Sequence, residues 1–277
     1  MNILKFIESF TDESLLTSKG SRRDSFAQFK TLGAKAAMAA APLGLASLAL
    51  APQKANAASS AFLSAAADTP TSALQLALTL EFLEAEYYQM ALDTAGLIPG
   101  EDRAIFAQIS QHETDHVNFL RNALAADAPA KPTFDFTVGG AFDPFGDYPT
   151  FLALAQAFED TGVRAYKGQA GNLISQPDLL EYALQIHSVE ARHASQVRRL
   201  RDQKGWITGN DRGGLPVQAQ GVYDGEELLI QAGFNTASVA FAGAISGPAG
   251  ASAGSESFDE PITGAVATSI ASLFIVS

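Results

Sequence analysis

Two Glu-x-x-His pairs constrain what this chain can fold into: Glu113 with His116, and Glu190 with His193. They use two of the four histidines in 277 residues. With 14 glutamates in the chain, chance gives roughly 0.2 such pairs. Residues three apart on an α-helix lie about one turn apart on the same face, so each pair presents a carboxylate and an imidazole together. The spacing therefore predicts two helices that bind metal.

The composition narrows the range of partners. Hydrophobic residues make up 47% of the chain, enough for one sizeable core with a smaller appendage. Cysteine is absent, which excludes disulfides and thiolate metal sites. The formal net charge of −12 argues against nucleic acid as a partner, because phosphate binding needs clustered Lys and Arg.

Residues 1–57 resemble a twin-arginine export signal. Arg22 and Arg23 precede a weakly apolar, Ala-rich stretch at 31–50, and Ala-Asn-Ala at 55–57 provides the small residues of a cleavage site. The resemblance implies export of the folded protein to the periplasm or cell envelope. An amphipathic N-terminal helix and an uncleaved anchor are the alternatives. No later stretch is apolar enough to span a bilayer, so we expect no stable membrane span after cleavage.

Apolar periodicity and helix-breaking residues predict an all-α fold. Short connections join the first predicted helix to the second and the third to the fourth, which is typical of antiparallel neighbours. A long connection at 127–149 is sufficient for a crossover that runs the length of a bundle. The four predicted helices span about 72–95, 101–126, 150–173 and 176–204. Together they predict a four-helix bundle within residues 58–204, with a long crossover between helices 2 and 3.

The sequence changes character after Gly205. Gly, Ala and Ser become frequent, and the apolar residues lack a steady period. Asp259, Glu260 and Pro261 resemble the start of a short terminal helix. We interpret residues 205–277 as an irregular C-terminal extension, with a short helix, that packs on the bundle. A flexible tail is the alternative.

Two further glutamates complete a pattern across the four predicted helices. Glu81 lies mid-way along the first and Glu159 mid-way along the third, both in apolar surroundings where an unpaired charge is costly. Each helix therefore offers one carboxylate near its middle, and the second and fourth add an imidazole. This is the ligand arrangement of the di-iron site in ferritin-like bundles.

The chain resembles the ferritin-like superfamily, and within it the exported ferritin-like domain family that includes plant desiccation-related proteins and many bacterial twin-arginine substrates. Four segments carry the resemblance: 80–88, 112–116, 159–166 and 190–193. It implies a carboxylate-bridged pair of iron or manganese ions, with zinc tolerated, and Glu113 and Glu190 as the bridges. The implied ligands are Glu81, Glu113, His116, Glu159, Glu190 and His193. Two divalent ions would also offset the repulsion among four buried carboxylates.

Helix 1 leaves a choice of ligand, because Glu84 lies one turn after Glu81 and either could face inward. The resemblance favours Glu81, since the first ligand of that superfamily is followed seven residues later by a tyrosine, here Tyr88. Glu84 is then a neighbour that supports the ligands or is solvated. Four other side chains are candidates for hydrogen bonds to the ligands, or are ordinary core residues: Tyr88, Tyr166, His112 and His187.

The implied function is redox handling of Fe(II), peroxide or dioxygen, either as a ferroxidase or, with manganese, as a catalase-like enzyme that protects the envelope from oxidative stress. A non-catalytic stress or structural bundle is an alternative. The His-Glu-x-x-His run at 112–116 also fits a zinc protease, in which both histidines bind zinc and Glu113 is the base, but this leaves Glu190 and His193 unexplained. A homo-oligomer is compatible with the sequence, but nothing marks the interface of a storage cage.

Overall fold

The structure, a computed structural model, describes residues 69–215, 217–238 and 253–276. Four long helices dominate this part of the chain: α1 (Pro70–Asp93), α2 (Arg103–Leu124), α3 (Tyr148–Gln169) and α4 (Pro177–Leu200). The predicted all-α bundle is confirmed. The export signal predicted at 1–57 lies outside the described residues.

The helices begin where local capping chemistry directs them. Thr69 caps α1: its hydroxyl accepts from the Ser72 amide at 3.1 Å, and the Ser72 hydroxyl accepts from the Thr69 amide at 3.0 Å. Asp147 caps α3 by accepting from the Thr150 amide at 2.9 Å. Pro177 occupies the first turn of α4, where a missing N–H costs nothing. These caps explain why the helix starts lie within about two residues of the predicted ones.

Helix α1 packs on α2, α3 packs on α4, and α1 also contacts α3. The long crossover from α2 to α3 contains a two-residue strand, β1 (Thr133–Phe134). It pairs antiparallel with β4 (Ile275–Val276) near the C-terminus. The crossover and the extension are thus joined by backbone hydrogen bonds that the sequence did not indicate.

The apolar core has two main clusters with a polar layer between them. On α2, Phe106 belongs to the first cluster and Leu120 to the second. On α4, Ile186 belongs to the second cluster and Val197 to the first. The Glu-x-x-His pairs lie between these residues on both helices, so the metal-binding side chains occupy the middle of the bundle.

The C-terminal extension contains more local structure than predicted. It has a short helix α5 (Gln220–Tyr223), a hairpin of β2 (Ile230–Gln231) and β3 (Phe234–Asn235), and a terminal helix α6 (Gly264–Ala271). Ala267, Ile270 and Ala271 of α6, together with Ile262 and Phe274, pack in the core of the bundle. Of the helices in the described ranges, none is both long and apolar enough to cross a membrane.

The predicted start of the terminal helix at Asp259, Glu260 and Pro261 is wrong. Helix α6 begins at Gly264, after the cap Thr263, whose hydroxyl accepts from the Val266 amide at 3.2 Å. The amide of Glu260 donates to a Glu226 carboxylate oxygen at 2.7 Å, and the amide of Ile262 donates to the Arg164 carbonyl at 3.2 Å. These tertiary bonds hold the segment extended against α3, so the helix starts later.

Arg164 of α3 connects the extension to the bundle. Its guanidinium is buried and donates to the backbone carbonyls of Val222, Asp224 and Glu260. It also pairs with the buried Glu226 carboxylate at 2.7 Å. Four groups of the extension therefore depend on one cation of the bundle.

A second buried ion pair lies beside this contact. Arg198 of α4 donates to Asp160 of α3 through two nitrogens, at 3.1 and 2.5 Å. The Tyr223 hydroxyl of the extension donates to the same carboxylate at 2.7 Å. Because both ions and the hydroxyl satisfy one another, this pair can be buried without an orphaned charge.

Candidate metal centre

Each helix of the bundle contributes one fully buried glutamate at its middle. The carboxylates of Glu81, Glu113, Glu159 and Glu190 are all 0% exposed. The helical periodicity places each on the inner face, and His116 and His193 follow one turn after the glutamates of α2 and α4. The structure therefore brings all six predicted ligand side chains into one region.

The donor atoms form two overlapping sets. The His116 set consists of Glu81, Glu113, His116 and Glu190, and the His193 set of Glu113, Glu159, Glu190 and His193. Within each set, one ligand atom from every residue lies within 4.8 Å of the others. Glu113 and Glu190 belong to both sets. Two four-donor groups that share two carboxylates can hold two adjacent metal ions with bridging glutamates.

In the His116 set, a single imidazole nitrogen faces three carboxylates. Nδ1 of His116 lies 3.1 Å from Glu81 Oε2, 3.2 Å from Glu113 Oε2 and 3.1 Å from Glu190 Oε1. One N–H can donate well to only one or two of these oxygens. The convergence of three carboxylates on one nitrogen is better suited to a shared cation than to hydrogen bonding alone.

In the His193 set, several buried atoms have no hydrogen-bond partner of acceptable geometry. Nδ1 of His193 lies 2.8 Å from Glu113 Oε1 and 3.4 Å from Glu159 Oε2, yet these three atoms and both oxygens of Glu190 remain unsatisfied. Buried polar atoms are nearly always paired, and leaving one unpaired costs about 1–3 kcal/mol. Metal ions would satisfy these atoms together, so the residues fit the metal pair that the pattern implies.

The buried carboxyl groups have strongly altered acidity. Burial, together with repulsion from the neighbouring Glu113, raises the pKa of Glu81 to about 8 and that of Glu190 well above its usual range. Glu113 is the exception: burial acts against its charged form, but its contacts with His116 and His193 outweigh burial and lower its pKa to about 2. Burial also acts against the charged form of His193, but the surrounding carboxylates raise its pKa to about 11. Without a metal, protons must therefore neutralise this cluster.

Two tyrosines each donate a hydrogen bond to a glutamate on the other helix, one from α1 to α3 and one from α3 to α1. The Tyr88 hydroxyl on α1 donates to Glu159 Oε1 at 2.5 Å, and the Tyr166 hydroxyl on α3 donates to Glu81 Oε1. Each tyrosine lies seven residues after the glutamate on its own helix. The sequence contains this spacing in both helices, and its repetition is the signal that could have predicted these two hydrogen bonds.

The two other histidines have different surroundings. Nδ1 of half-buried His112 lies 2.9 Å from His193 Nε2, and the two rings stack with centroids 5.2 Å apart. His187 lies one turn before Glu190; burial and then Lys167 lower its pKa, and its buried Nδ1 has no hydrogen-bond partner. Neither histidine belongs to a donor set. His112 contacts the predicted ligand His193, and His187 has no such contact among those described above.

The zinc-protease interpretation of residues 112–116 does not fit this geometry. Among the described residues, His112 belongs to neither donor set, whereas His116 does. Glu113, which would have to be a free general base, instead belongs to both sets. The two histidines of the run therefore do not share a zinc site with a free Glu113.

Glu84 is buried with the other carboxylates. It is 2% exposed, and neither carboxylate oxygen has a hydrogen-bond partner. The expectation that it could be a solvated neighbour is wrong, because packing of α1 against α3 buries both Glu81 and Glu84.

A comparison with known families matches residues 69–203 to the family described as ferritin-like domain. The match runs from the cap of α1 to just beyond the end of α4. This part of the chain is therefore similar to the ferritin-like domain, and the match supports the predicted resemblance to the ferritin-like superfamily. The narrower likeness to exported, desiccation-related proteins stays a prediction. No curated protein matches the chain.

Proposed function

We propose that this chain is an exported di-metal carboxylate protein that uses two iron or two manganese ions to handle Fe(II), peroxide or dioxygen. The two overlapping donor sets, which share Glu113 and Glu190, carry the proposal. Oxygen and imidazole donors without sulfur suit iron and manganese and tolerate zinc. Two such ions supply a two-electron reaction with peroxide or dioxygen when bound.

The protein side chains would bind the ions, hold their own orientation and exchange protons. Tyr88 and Tyr166 hold Glu159 and Glu81 in place, and His112 orients the ring of His193. His112 is half-buried and contacts the His193 ring, so it lies between that ring and solvent. It can therefore pass protons between the His193 ring and solvent as the charge of the site changes.

The chemistry divides into two balanced reactions. With iron, one peroxide molecule and two protons oxidise two Fe(II) ions to Fe(III) and form two water molecules. With manganese, two peroxide molecules yield one dioxygen and two water molecules. The first reaction consumes protons, and His112 would deliver them from solvent. The second needs no net proton.

The test compares turnover in variants of two carboxylates on α1. Protein loaded anaerobically with Fe(II) is mixed with peroxide and followed by Fe(III) absorbance, and Mn(II)-loaded protein is followed by dioxygen evolution. We expect the wild type to turn over with either iron or manganese. Glu81→Ala should lose this activity, and the control Glu86→Ala should retain it. Glu86 pairs with Lys131 at 2.5 Å outside the donor sets. A wild-type protein that binds metal but turns over neither oxidant would contradict the redox function.

The full burial of the donors favours one other function, a bundle in which the metal pair is structural. All four glutamates of the donor sets are 0% exposed, which restricts the access of oxidants to the metal pair. A structural pair would bind the same ions and raise the melting temperature, but would give no turnover in the assay above.

Export is the second part of the proposal, supported by Arg22, Arg23 and the Ala-rich stretch that follows them. Folding around the metal before transport would fix which ion is bound. Fractionation of cells that express the full chain tests this: we expect the wild type in the envelope fraction and Arg22→Lys/Arg23→Lys in the cytoplasm. Equal distribution of the two would contradict export by this route.

A further inference from the structure

Glu84 is a fifth buried carboxylate that neither donor set contains. It lies one turn after Glu81 on α1, and its side chain is buried. Both of its oxygens are buried without a hydrogen-bond partner. A buried carboxylate with no partner is costly. In the part of the chain that the structure describes, no protein group pairs with Glu84, so its partner has to be something other than a side chain or backbone group of these residues.

Gly162 of α3 shows where the Glu84 carboxylate points. A Cβ atom at this glycine would lie 3.6 Å from Glu84 Oε1 and 3.3 Å from Glu190 Oε2. The two oxygens therefore lie beside the same point on α3, where the missing side chain leaves room for Glu190 Oε2. A glycine inside a helix costs about 1 kcal/mol relative to alanine. Here it leaves room for the carboxylate of Glu190, a member of both donor sets, on the side of α3 that Glu84 also contacts.

The charges around Glu84 agree with this position. Burial raises the pKa of Glu84 well above its usual range, and repulsion from Glu190, Glu159, Glu113 and Glu81 raises it further. All four glutamates of the donor sets therefore act on Glu84, although only Glu81 is its neighbour on α1.

The described surroundings of Glu84 offer its carboxylate oxygens neither a free protein donor nor a site for a well-coordinated water. On one side it lines a small cavity beneath α6, whose other walls are mostly apolar and include Phe158, Ile270 and Phe274. The one hydroxyl there, on Thr161, already donates to the Ala157 carbonyl at 2.6 Å. A water in this cavity would have few partners, whereas buried waters typically have about three.

We propose that Glu84 is a seventh protein ligand of the metal pair, which binds beside Glu190 from the side of the cavity beneath α6. This rests on the proposed di-metal function. As an ionised ligand it changes the total charge of the carboxylates from −4 to −5, which balances one divalent and one trivalent ion. Glu84 therefore favours loss of an electron from a pair of divalent ions, which four carboxylates already neutralise.

Co(II) tests the proposal without turnover, because its visible absorption reports coordination number and geometry. Three variants are compared with the wild type. Glu84→Gln removes the charge, Glu84→Asp keeps the charge but shortens the arm by one methylene, and Glu86→Gln removes a charge from the same helix outside the site. The measurements are the Co(II) stoichiometry, the dissociation constant by chelator competition, and the absorption spectrum.

We expect Glu84→Gln and Glu84→Asp both to alter the spectrum and to weaken Co(II) binding by at least about 10-fold, with Glu86→Gln unchanged. If Glu84 were only a nearby charge, Glu84→Asp would match the wild type, and that result would overturn the proposal even if Glu84→Gln failed to fold. No Co(II) in the wild type would overturn the di-metal function itself. Two Co(II) per chain with an unchanged Glu84→Asp spectrum would overturn the role of Glu84 alone.

Discussion

At the scale of single residues, the geometry of the metal centre depends both on the predicted ligands and on the side chains that orient them. Tyr88 reaches from α1 to Glu159 on α3, and Tyr166 reaches back to Glu81. Each hydroxyl occupies one oxygen of its carboxylate and leaves the other oxygen for a donor set. The two helices thus orient each other's carboxylates.

Removal of the Tyr88 hydroxyl should weaken metal binding without abolishing it. In Tyr88→Phe, Glu159 loses a hydrogen bond that orients it, but all six predicted ligands remain. We expect two ions per chain with an affinity lower by about 10–100-fold, measured by competition with a chromogenic chelator. Tyr182→Phe is the control, because Tyr182 is 46% exposed on α4. An unchanged affinity in Tyr88→Phe would show that this hydroxyl does not position the ligand.

The sequence predicts which residue types meet in the centre, but not every orientation. Glu113 and Glu190 could be assigned to the inner face because each precedes a histidine by one turn. Glu81 and Glu84 could not be separated, because both lie within the arc of α1 that α3 covers. The contact between His112 and His193 depends on how α2 and α4 pack, which no local pattern encodes.

At the scale of secondary-structure elements, the connection between α3 and the extension is concentrated at Arg164. Arg164→Ala would leave Glu226 as a buried, unpaired charge and three carbonyls without donors. Breaking a buried pair in this way costs about 3–5 kcal/mol. We expect a loss of this size in chemical denaturation, and faster proteolysis within the extension than in the bundle.

Lys167→Ala is the matched control for Arg164→Ala. Lys167 lies on the same helix and also donates to the extension, through the Asp259 carbonyl, but its side chain is exposed. We expect a change within about 0.5 kcal/mol, as for most surface substitutions. Equal effects of the two variants would contradict the assignment of the connection to Arg164.

The long helices could be predicted because their caps and apolar positions are local in sequence. Thr69 and Pro177, for example, mark helix starts without reference to the rest of the chain. The strands β1 and β4 could not, because each has only two residues and its partner lies more than 100 residues away. The start of α6 depends in the same way on long-range bonds from Glu260 and Ile262.

At the scale of the whole molecule, the metal centre should affect how the free energy of unfolding depends on pH. The dependence should differ between the metal-free and the metal-loaded protein. Glu81 has a pKa of about 8 in the metal-free fold against an ordinary value of 4.5. A carboxyl group whose pKa is raised by folding contributes stability below its unfolded pKa, and this is lost as pH rises through the folded pKa. His193, raised from 6.5 to about 11, acts in the same direction above pH 6.5.

We therefore expect the melting temperature of the metal-free protein to fall as the pH rises from about 4.5 to 8. Metal ions take the place of the protons, so the stabilisation by bound metal should grow over the same range. Glu226, whose pKa burial raises to about 7, affects both forms alike and cancels in the comparison. Thermal denaturation of chelated and metal-loaded protein at several pH values measures this. A metal-induced shift that shrinks with rising pH would contradict the replacement of protons by metal ions.

We expect the buried glutamates and histidines to hold two metal ions. Metal content per chain, measured by mass spectrometry on the wild type and on Glu113→Ala/Glu190→Ala, tests it most directly, because these two residues belong to both donor sets. We predict two iron or manganese ions per wild-type chain and none in the double variant, with circular dichroism to confirm that it is still helical. A wild-type chain that binds no stoichiometric metal after anaerobic loading with Fe(II) or Mn(II) would contradict this expectation.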